Sequence, residues 1–364
     1  MPTKSLIKIK KDLLTMIRES KIKNFNPNGV GLNNGHFIGL PFEREDAQII
    51  LIPVPWDLTV SSGDGTHSAP QNILNSSYQL DLYDEYVKDA WKIGIYFEEM
   101  DKQLLTQNNQ LRPIAESYIL ALESQEEISE ELTAEIANIN LACKEMLDKV
   151  EAQCISVLDA SKMFGLIGGD HSVALAGINA CANSYDSFGI LQIDAHMDLR
   201  HAYEGFTYSH ASIFYNAIQK KSISQLVQVG IRDYCQEEVD FVNEHSVRIK
   251  LFSDNHIQEA LLEGQSFKEI CSSIVESLPH NVYVSFDIDG LMPTNCPNTG
   301  TPVPGGLTFT QAKYLLKQLV ESGRKIIGFD LCEVAGVGNF YDGNVGARIA
   351  YLLCNYMAKS QGVS

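Results

Sequence analysis

Phe188-Gly189-Ile190-Leu191-Gln192-Ile193, followed at once by Asp194-Ala195-His196-Met197-Asp198, is the stretch on which the reading of this chain turns. The first six residues form an apolar, β-rich run, and the next five carry three groups that bind divalent cations. In an extended backbone, positions i, i+2 and i+4 point to one side, which puts Asp194, His196 and Asp198 on a shared face. Two carboxylates and an imidazole suit a transition metal better than calcium or a thiolate cluster. The bland alternative is a solvated strand end, and the rest of the chain weighs against it.

Seven other runs have the same character: 49–54, 93–97, 163–167, 226–231, 249–252, 282–286 and 326–331. Between most of them the apolar spacing is helical. That alternation predicts an α/β fold with a central, mostly parallel sheet and helices on both faces. With no internal repeat and no low-complexity linker, residues 46–364 read as one catalytic domain and residues 1–45 as an extension. The interval at about 100–160 is too long for a simple crossover and reads as a helical insert. Its second helix carries Ile128, Leu132, Ile136, Ile139, Cys143, Met146, Val150 and Cys154 at steps of three and four. Ser124-Gln125-Glu126-Glu127 has the form of its capping box. Gly29 to Gly35 is not a dinucleotide fingerprint, and the sequence contains no P-loop.

Composition narrows the partners. A net charge of −18 over 364 residues disfavours nucleic acid and anionic membrane, whose surfaces would repel the chain. It fits a small cationic substrate. The eight Cys are scattered without a CxxC, which reads as reduced thiols in a cytoplasmic protein. No apolar run approaches a membrane span, and no signal-peptide core follows Met1. The first 25 residues break the acidic trend with seven Lys or Arg against Asp12 and Glu19. Leu6, Ile9, Leu13, Ile17 and Ile22 sit near helical spacing, so an amphipathic helix that packs on the acidic body or on a neighbouring subunit is expected. A membrane anchor or presequence is the alternative.

Four strand ends carry the chemistry. Run 163–167 leads into Gly168-Gly169-Asp170-His171-Ser172, and run 188–193 into Asp194 to Asp198. Run 282–286 leads into Asp287-Ile288-Asp289, and run 326–331 ends at Cys332-Glu333. In an open parallel sheet, ligands bind beyond the carboxyl ends of strands, so these segments are expected to converge. The candidate metal ligands are His171, Asp194, His196, Asp198, Asp287 and Asp289. Four carboxylates in one crevice raise one another's pKa values, and two divalent cations neutralise them. Six side chains exceed what one catalytic metal with an open position takes, but suit two if some carboxylates bridge. Two metals sharing a water would yield hydroxide near neutral pH. Oxygen-rich ligation with some imidazole favours Mn, while ligand type alone leaves Ni, Co, Zn and Fe open.

The ordered set GGDHS, DAHxD and SxDxD resembles the ureohydrolases: arginase, agmatinase, formiminoglutamase and relatives. So do Asn298-Thr299-Gly300-Thr301-Pro302 and Gly305-Gly306-Leu307-Thr308. The resemblance implies a three-layer α/β/α fold and a binuclear manganese site at the six positions named, bridged by Asp194 and Asp287. It implies hydrolysis of a guanidino carbon and a homotrimer or homohexamer. It also implies that His210, in Tyr208-Ser209-His210-Ala211-Ser212, shuttles a proton to the departing amine. Glu333 would receive the substrate guanidinium through a bidentate fork. Asp198 and these two make the expected catalytic set, with Trp56 or His67 as a pocket wall. Arg232 is expected in a structural ion pair.

Two departures stand out. Met292 occupies a place where the family usually has Asp, which would remove a supporting hydrogen bond. Gly336 replaces a frequent Pro, which predicts a flexible loop. The segments Leu199-Arg200 and Phe206-Thr207-Tyr208 do not match the arginase head-group readers and look agmatinase-like. An agmatine-like substrate, free guanidine hydrolysed with nickel, and a guanidino acid or arginine all stay open. So does a non-catalytic scaffold, against which the full ligand set, His210 and Glu333 argue.

Overall fold

The computed structural model describes residues 4–363, with side chains from Leu13 onward. Eight strands form one sheet: β1 (Ile49–Val54), β2 (Ile95–Phe97), β3 (Met163–Gly168), β4 (Phe188–Ile193), β5 (Ile223–Val229), β6 (Ile249–Phe252), β7 (Asn281–Asp287) and β8 (Lys325–Cys332). All eight apolar runs are strands. β5 starts earlier than the run 226–231 suggests and stops at Val229, because Gly230 takes a left-handed φ of 94°.

The sheet is parallel throughout, in the order β2-β1-β3-β8-β7-β4-β5-β6. β1, β3 and β4 are buried along their whole length, as strands covered on both faces must be. The four strands whose ends carry the motifs, β3, β8, β7 and β4, lie side by side in the centre.

Two sets of helices flank the sheet. α3 (Lys102–Glu123), α4 (Glu130–Asp159), α5 (Ala174–Ser184) and α6 (Ile213–Ile218) pack in succession, with α5 on β8. The other set is α2 (Ala69–Ser77), α9 (Phe267–Glu276), α10 (Phe309–Glu321) and α11 (Phe340–Ser360), with α11 on β8 as well. α7 (Gln236–Glu244) precedes β6 and α8 (Asp254–Leu262) follows it.

The insert is the helix pair α3–α4. Its expected capping box is displaced: Ser124 ends α3, Gln125 is left-handed, and Ser129 caps α4 by accepting from Leu132 N. Ser129 lacks the Glu of a capping box at its third position, but its extended backbone lets it take the cap, whereas Ser124 is helical. The insert face buries Ile136, Ile139, Cys143, Met146, Val150 and Cys154 as the periodicity requires.

α1 (Lys4–Asn24) is the expected N-terminal helix. Its described half docks on the body. Arg18 Nη2 donates to Lys92 O and Ile93 O at 2.6 and 2.8 Å, Lys21 pairs with Asp46 at 3.0 Å, and Phe25 packs on Trp91. The eight Cys are all free, and only Cys235 is not buried. Among the described residues no helix is long and apolar enough to cross a membrane.

Candidate metal centre and active site

The six expected ligands meet at the carboxyl ends of the central strands, five of them in two overlapping groups and Asp198 beside His171. His171, Asp194 and Asp287 form one, and Asp194, His196 and Asp289 the other. His171 Nδ1 faces Asp198 at 2.9 Å, Asp194 at 3.1 Å and Asp287 at 3.3 Å. His196 Nδ1 faces Asp289 at 3.1 Å and Asp194 at 3.6 Å.

Asp194, His196 and Asp198 do not share a strand face. β4 ends at Ile193, and Asp198 is left-handed with φ 54°. The turn carries Asp198 to the His171 end while His196 goes to the Asp289 end, leaving Asp194 between them. Carbonyl O of Asp198 accepts from Phe214 N and Tyr215 N, which hold that turn.

Backbone N–H groups aim the carboxylates. Asp194 Oδ1 accepts from His196 N, Asp287 Oδ1 from Asp289 N, and Asp289 Oδ1 from Ala195 N, at 2.7, 2.8 and 2.9 Å. Asp287 and Asp289 turn their second oxygens toward His171 and His196, while Asp194 faces His171 with Oδ2 and His196 with Oδ1. Gly290 permits the close approach of the β7 turn to β4: a Cβ there would lie 2.6 Å from Asp194 N.

Beneath the ligands lies a buried polar layer that sequence reasoning missed. Gln192 Nε2 donates to Asp194 Oδ2 and His196 O, and Gln228 Nε2 donates to Gln192 Oε1 and Met197 O. His171 Nε2 meets Ser285 Oγ at 2.9 Å, and Ser285 donates to Asp330. The available signal was a lone polar residue inside an apolar strand run, as Gln192, Gln228, Ser285 and Asp330 each are.

These residues fit a metal. With Nε2 engaged by Ser285, His171 Nδ1 is a buried nitrogen without a hydrogen bond of competent geometry, set among three carboxylates. Burial, then the charge of Asp194, pushes Asp198 up to about 7. Burial, then Asp289 and Asp194, pushes Asp287 well up. Burial opposes charge on His196, yet Asp289 and Asp194 prevail and carry it to about 12. Such a set demands positive charge from protons or cations.

A cavity of about 180 Å³ opens above it, lined by His171, His196, Asp198 and Asp287 together with His210 and Glu333. Glu333 is left-handed (φ 61°) and only 8% exposed. Its Oε1 accepts from His171 N at 2.9 Å, and burial followed by the charge of Asp170 lifts its pKa well above the carboxylate range. Burial, then the charge of His196, lowers His210 to about 4.

Trp56 is a correction. It is fully buried, so it walls no pocket; Ser61 lines the cavity from that loop. A large apolar ring is worth more in the core, and Trp56 O accepts from Asp170 N, locking the segment under β3. His67 is no wall either. Its Nδ1 meets Asp57 Oδ2 at 2.7 Å.

Among the described residues Arg232 makes no ion pair. Its guanidinium donates to the carbonyls of Gly230, Asp289, Leu291, Val303 and Pro304. The Gly336 loop is tied down. Asn72 Nδ2 donates to Ala335, Gly336 and Asn339 carbonyls, and Ser68 Oγ accepts from Val337 N.

Residues 47–357 match the family model described as "Arginase family". The chain belongs to the arginase family. It is a ureohydrolase of agmatinase-like type, a hydrolase of amidino C–N bonds. It is 30% identical over 308 residues to an N(1)-aminopropylagmatine ureohydrolase of Thermus thermophilus, covering 84% of this chain and 89% of that one. It is 28% identical over 305 residues to an agmatinase of Bacillus subtilis, covering 83% and 88%. Among solved structures, the proclavaminate amidino hydrolase from Streptomyces clavuligerus superposes with a TM-score of 0.70 at 22% identity, over 92% of this chain and 100% of the other. That likeness places the arginase-like α/β fold, with its parallel sheet between helical layers.

Proposed function

We propose that this arginase-family chain uses two divalent metal ions to hydrolyse an agmatine-like guanidino substrate, releasing urea and an amine. The observation that carries the reading is Asp194, which belongs to both candidate ligand groups. His171, Asp194, Asp198 and Asp287 would hold one ion, and Asp194, His196, Asp287 and Asp289 the other. Bound there, the pair would neutralise the carboxylates and lower the pKa of a water between them. The oxygen-rich donor set favours Mn, with Ni the next choice.

Glu333, fixed by His171 N, presents its other oxygen to a guanidinium N–H and orients the guanidino carbon. Water adds to that carbon, the C–N bond to the tail breaks, and the nitrogen leaves as an amine once protonated. His210, held neutral as an imidazole, relays that proton. Asp198 completes the set as ligand and neighbour of His171. Arg200 at the rim is occupied by Tyr203 below it at 4.8 Å and by Glu238 at 3.7 Å. Asp233, also on the rim, is 68% exposed in its side chain and lies 4.0 Å from His196 Nε2, where its carboxylate would attract a cationic tail.

Purified enzyme loaded with Mn or Ni in turn, and assayed for urea, tests the reading. Agmatine, aminopropylagmatine, free guanidine, arginine and guanidino acids make the panel. Urea from agmatine or its aminopropyl derivative is expected. Release from guanidine or a guanidino acid alone would reassign the substrate, and none from any would refute the enzymatic reading of the site. The same reading takes residues 46–364 as the catalytic unit and the assembly as a homotrimer or homohexamer, which sedimentation measures.

A further inference from the structure

Two loops wall the cavity, and both are fastened to the α3–α4 insert. The first, residues 57–67, supplies Ser61. Asn108 on α3 exchanges two hydrogen bonds with Asp57, at 2.9 and 2.8 Å. One turn on, Arg112 Nη1 donates to Val60 O at 2.7 Å and Leu58 O at 3.3 Å.

The second loop, residues 199–210, ends at His210. Ala202, Glu204 and Gly205 in it are left-handed, with φ of 46°, 55° and 81°, so it does not hold this shape by local preference. Asn140 on α4 supplies the restraint with both ends of its amide. Nδ2 donates to Gly205 O at 3.0 Å, and Oδ1 accepts from Thr207 N at 2.7 Å. Tyr118 on α3 packs edge-on against Phe206. The two loops then meet at one contact, where His210 N donates to Thr59 Oγ1 at 3.4 Å. α3 and α4 are themselves joined by a Lys149–Asp101 ion pair. The result is a closed circuit: α3, first loop, Thr59, His210, second loop, α4.

We propose that the insert is the frame that positions His210 for proton transfer, with Asn140 and Arg112 as positioning residues. The inference rests on reading His210 as the proton carrier. Neither side chain touches the ligands, so Asn140 acts through loop geometry, and Arg112 through loop geometry with a minor contribution of its charge at His210. A shift of about 1 Å in a reacting group costs up to a hundredfold in rate, which the two amide bonds of Asn140 guard against.

The test uses Mn-loaded full-length enzyme. Asn140→Ala should lower kcat on agmatine by about tenfold to a hundredfold, with KM and bound metal little changed. Asn140→Asp, which keeps only the acceptor, should fall between. Arg112→Met should also lower kcat, and the double variant should lose less than the product of the two, because both arms converge on the Thr59–His210 contact. Hydrogen exchange supplies a readout that needs no turnover: the amides of Thr207 and His210 should exchange faster in Asn140→Ala. Unchanged exchange there, or a lower melting temperature with kcat per folded enzyme intact, would overturn the proposal. Faster exchange in a protein whose parent releases no urea would instead sink the catalytic reading of His210 while the clamp itself held.

Discussion

Glu333 and His171 are joined by a hydrogen bond of 2.9 Å from the His171 backbone N–H to Glu333 Oε1, across 162 residues of sequence. A candidate guanidinium receptor and a candidate metal ligand are therefore set relative to each other by the β3–β8 pairing, not by a flexible loop. Glu333→Ala should leave metal content intact, raise KM for the guanidino substrate and lower kcat, a loss of at least about a hundredfold in kcat/KM. Steady-state kinetics with metal analysis on the same sample checks it.

His210→Ala should lower kcat by about 10²–10⁴-fold with both metals retained. Retained turnover would remove its role as proton carrier.

Asp194 belongs to both ligand groups, whereas Asp289 belongs to one. Asp194→Asn should therefore weaken both ions, and Asp289→Asn chiefly the ion near His196. Gln192→Leu removes the donor to Asp194 Oδ2 and should cost about 10–100-fold in metal affinity although no ligand is replaced. Calorimetric titration of metal-free protein with Mn separates the three.

The Asp57–His67 pair gives a pH signature away from the metals. Burial opposes ionisation of Asp57, but hydrogen bonds from His67 and Asn108 and the charge of His67 bring it down to about 2. His67 is raised chiefly by its bond to Asp57. The His67 contribution is fully present below its ordinary value near 6.5 and is lost as pH rises through the elevated one. The Asp57 contribution is present above its ordinary value near 3.8 and is lost as pH falls toward 2. His67→Gln should thus lower the melting temperature most at pH 5–6, and the gap from the parent should shrink at pH 9. A gap that grew with pH would refute the pairing.

Gly290→Ala places a Cβ 2.6 Å from Asp194 N and 2.8 Å from Ile193 C. Backbone cannot yield there as a side-chain tip would, so a loss of about 1–3 kcal/mol in stability is expected, along with weaker metal binding. Denaturant unfolding of the metal-free protein isolates the first effect.

Much of this was legible in the chain. Eight apolar runs became eight strands, with the candidate metal ligands at the ends of three of them and Glu333 at the end of a fourth. What escaped notice was of one kind. The fate of Trp56, the carbonyls around Arg232 and the fastening of Gly336 by Asn72 all depend on partners far away in sequence. The left-handed turn at Asp198 escaped for a related reason, since Asp accepts that conformation without the marker a glycine would give. Gln192 and Ser285 were visible as polar residues in apolar strands, but only contact shows what they bond.

By itself the sequence determined the strands, the helices between them and the chemistry at each strand end, because these follow from residue type and period. Only the tertiary structure decided that β3, β8, β7 and β4 lie adjacent, although they are third, eighth, seventh and fourth in the chain. Strand order is set by which faces pack and which connections close, a property of the whole sheet. That order brings His171, Glu333, Asp287 and Asp194 within reach of one another, and it made a two-group site of the eleven residues from Phe188 to Asp198 and their distant partners.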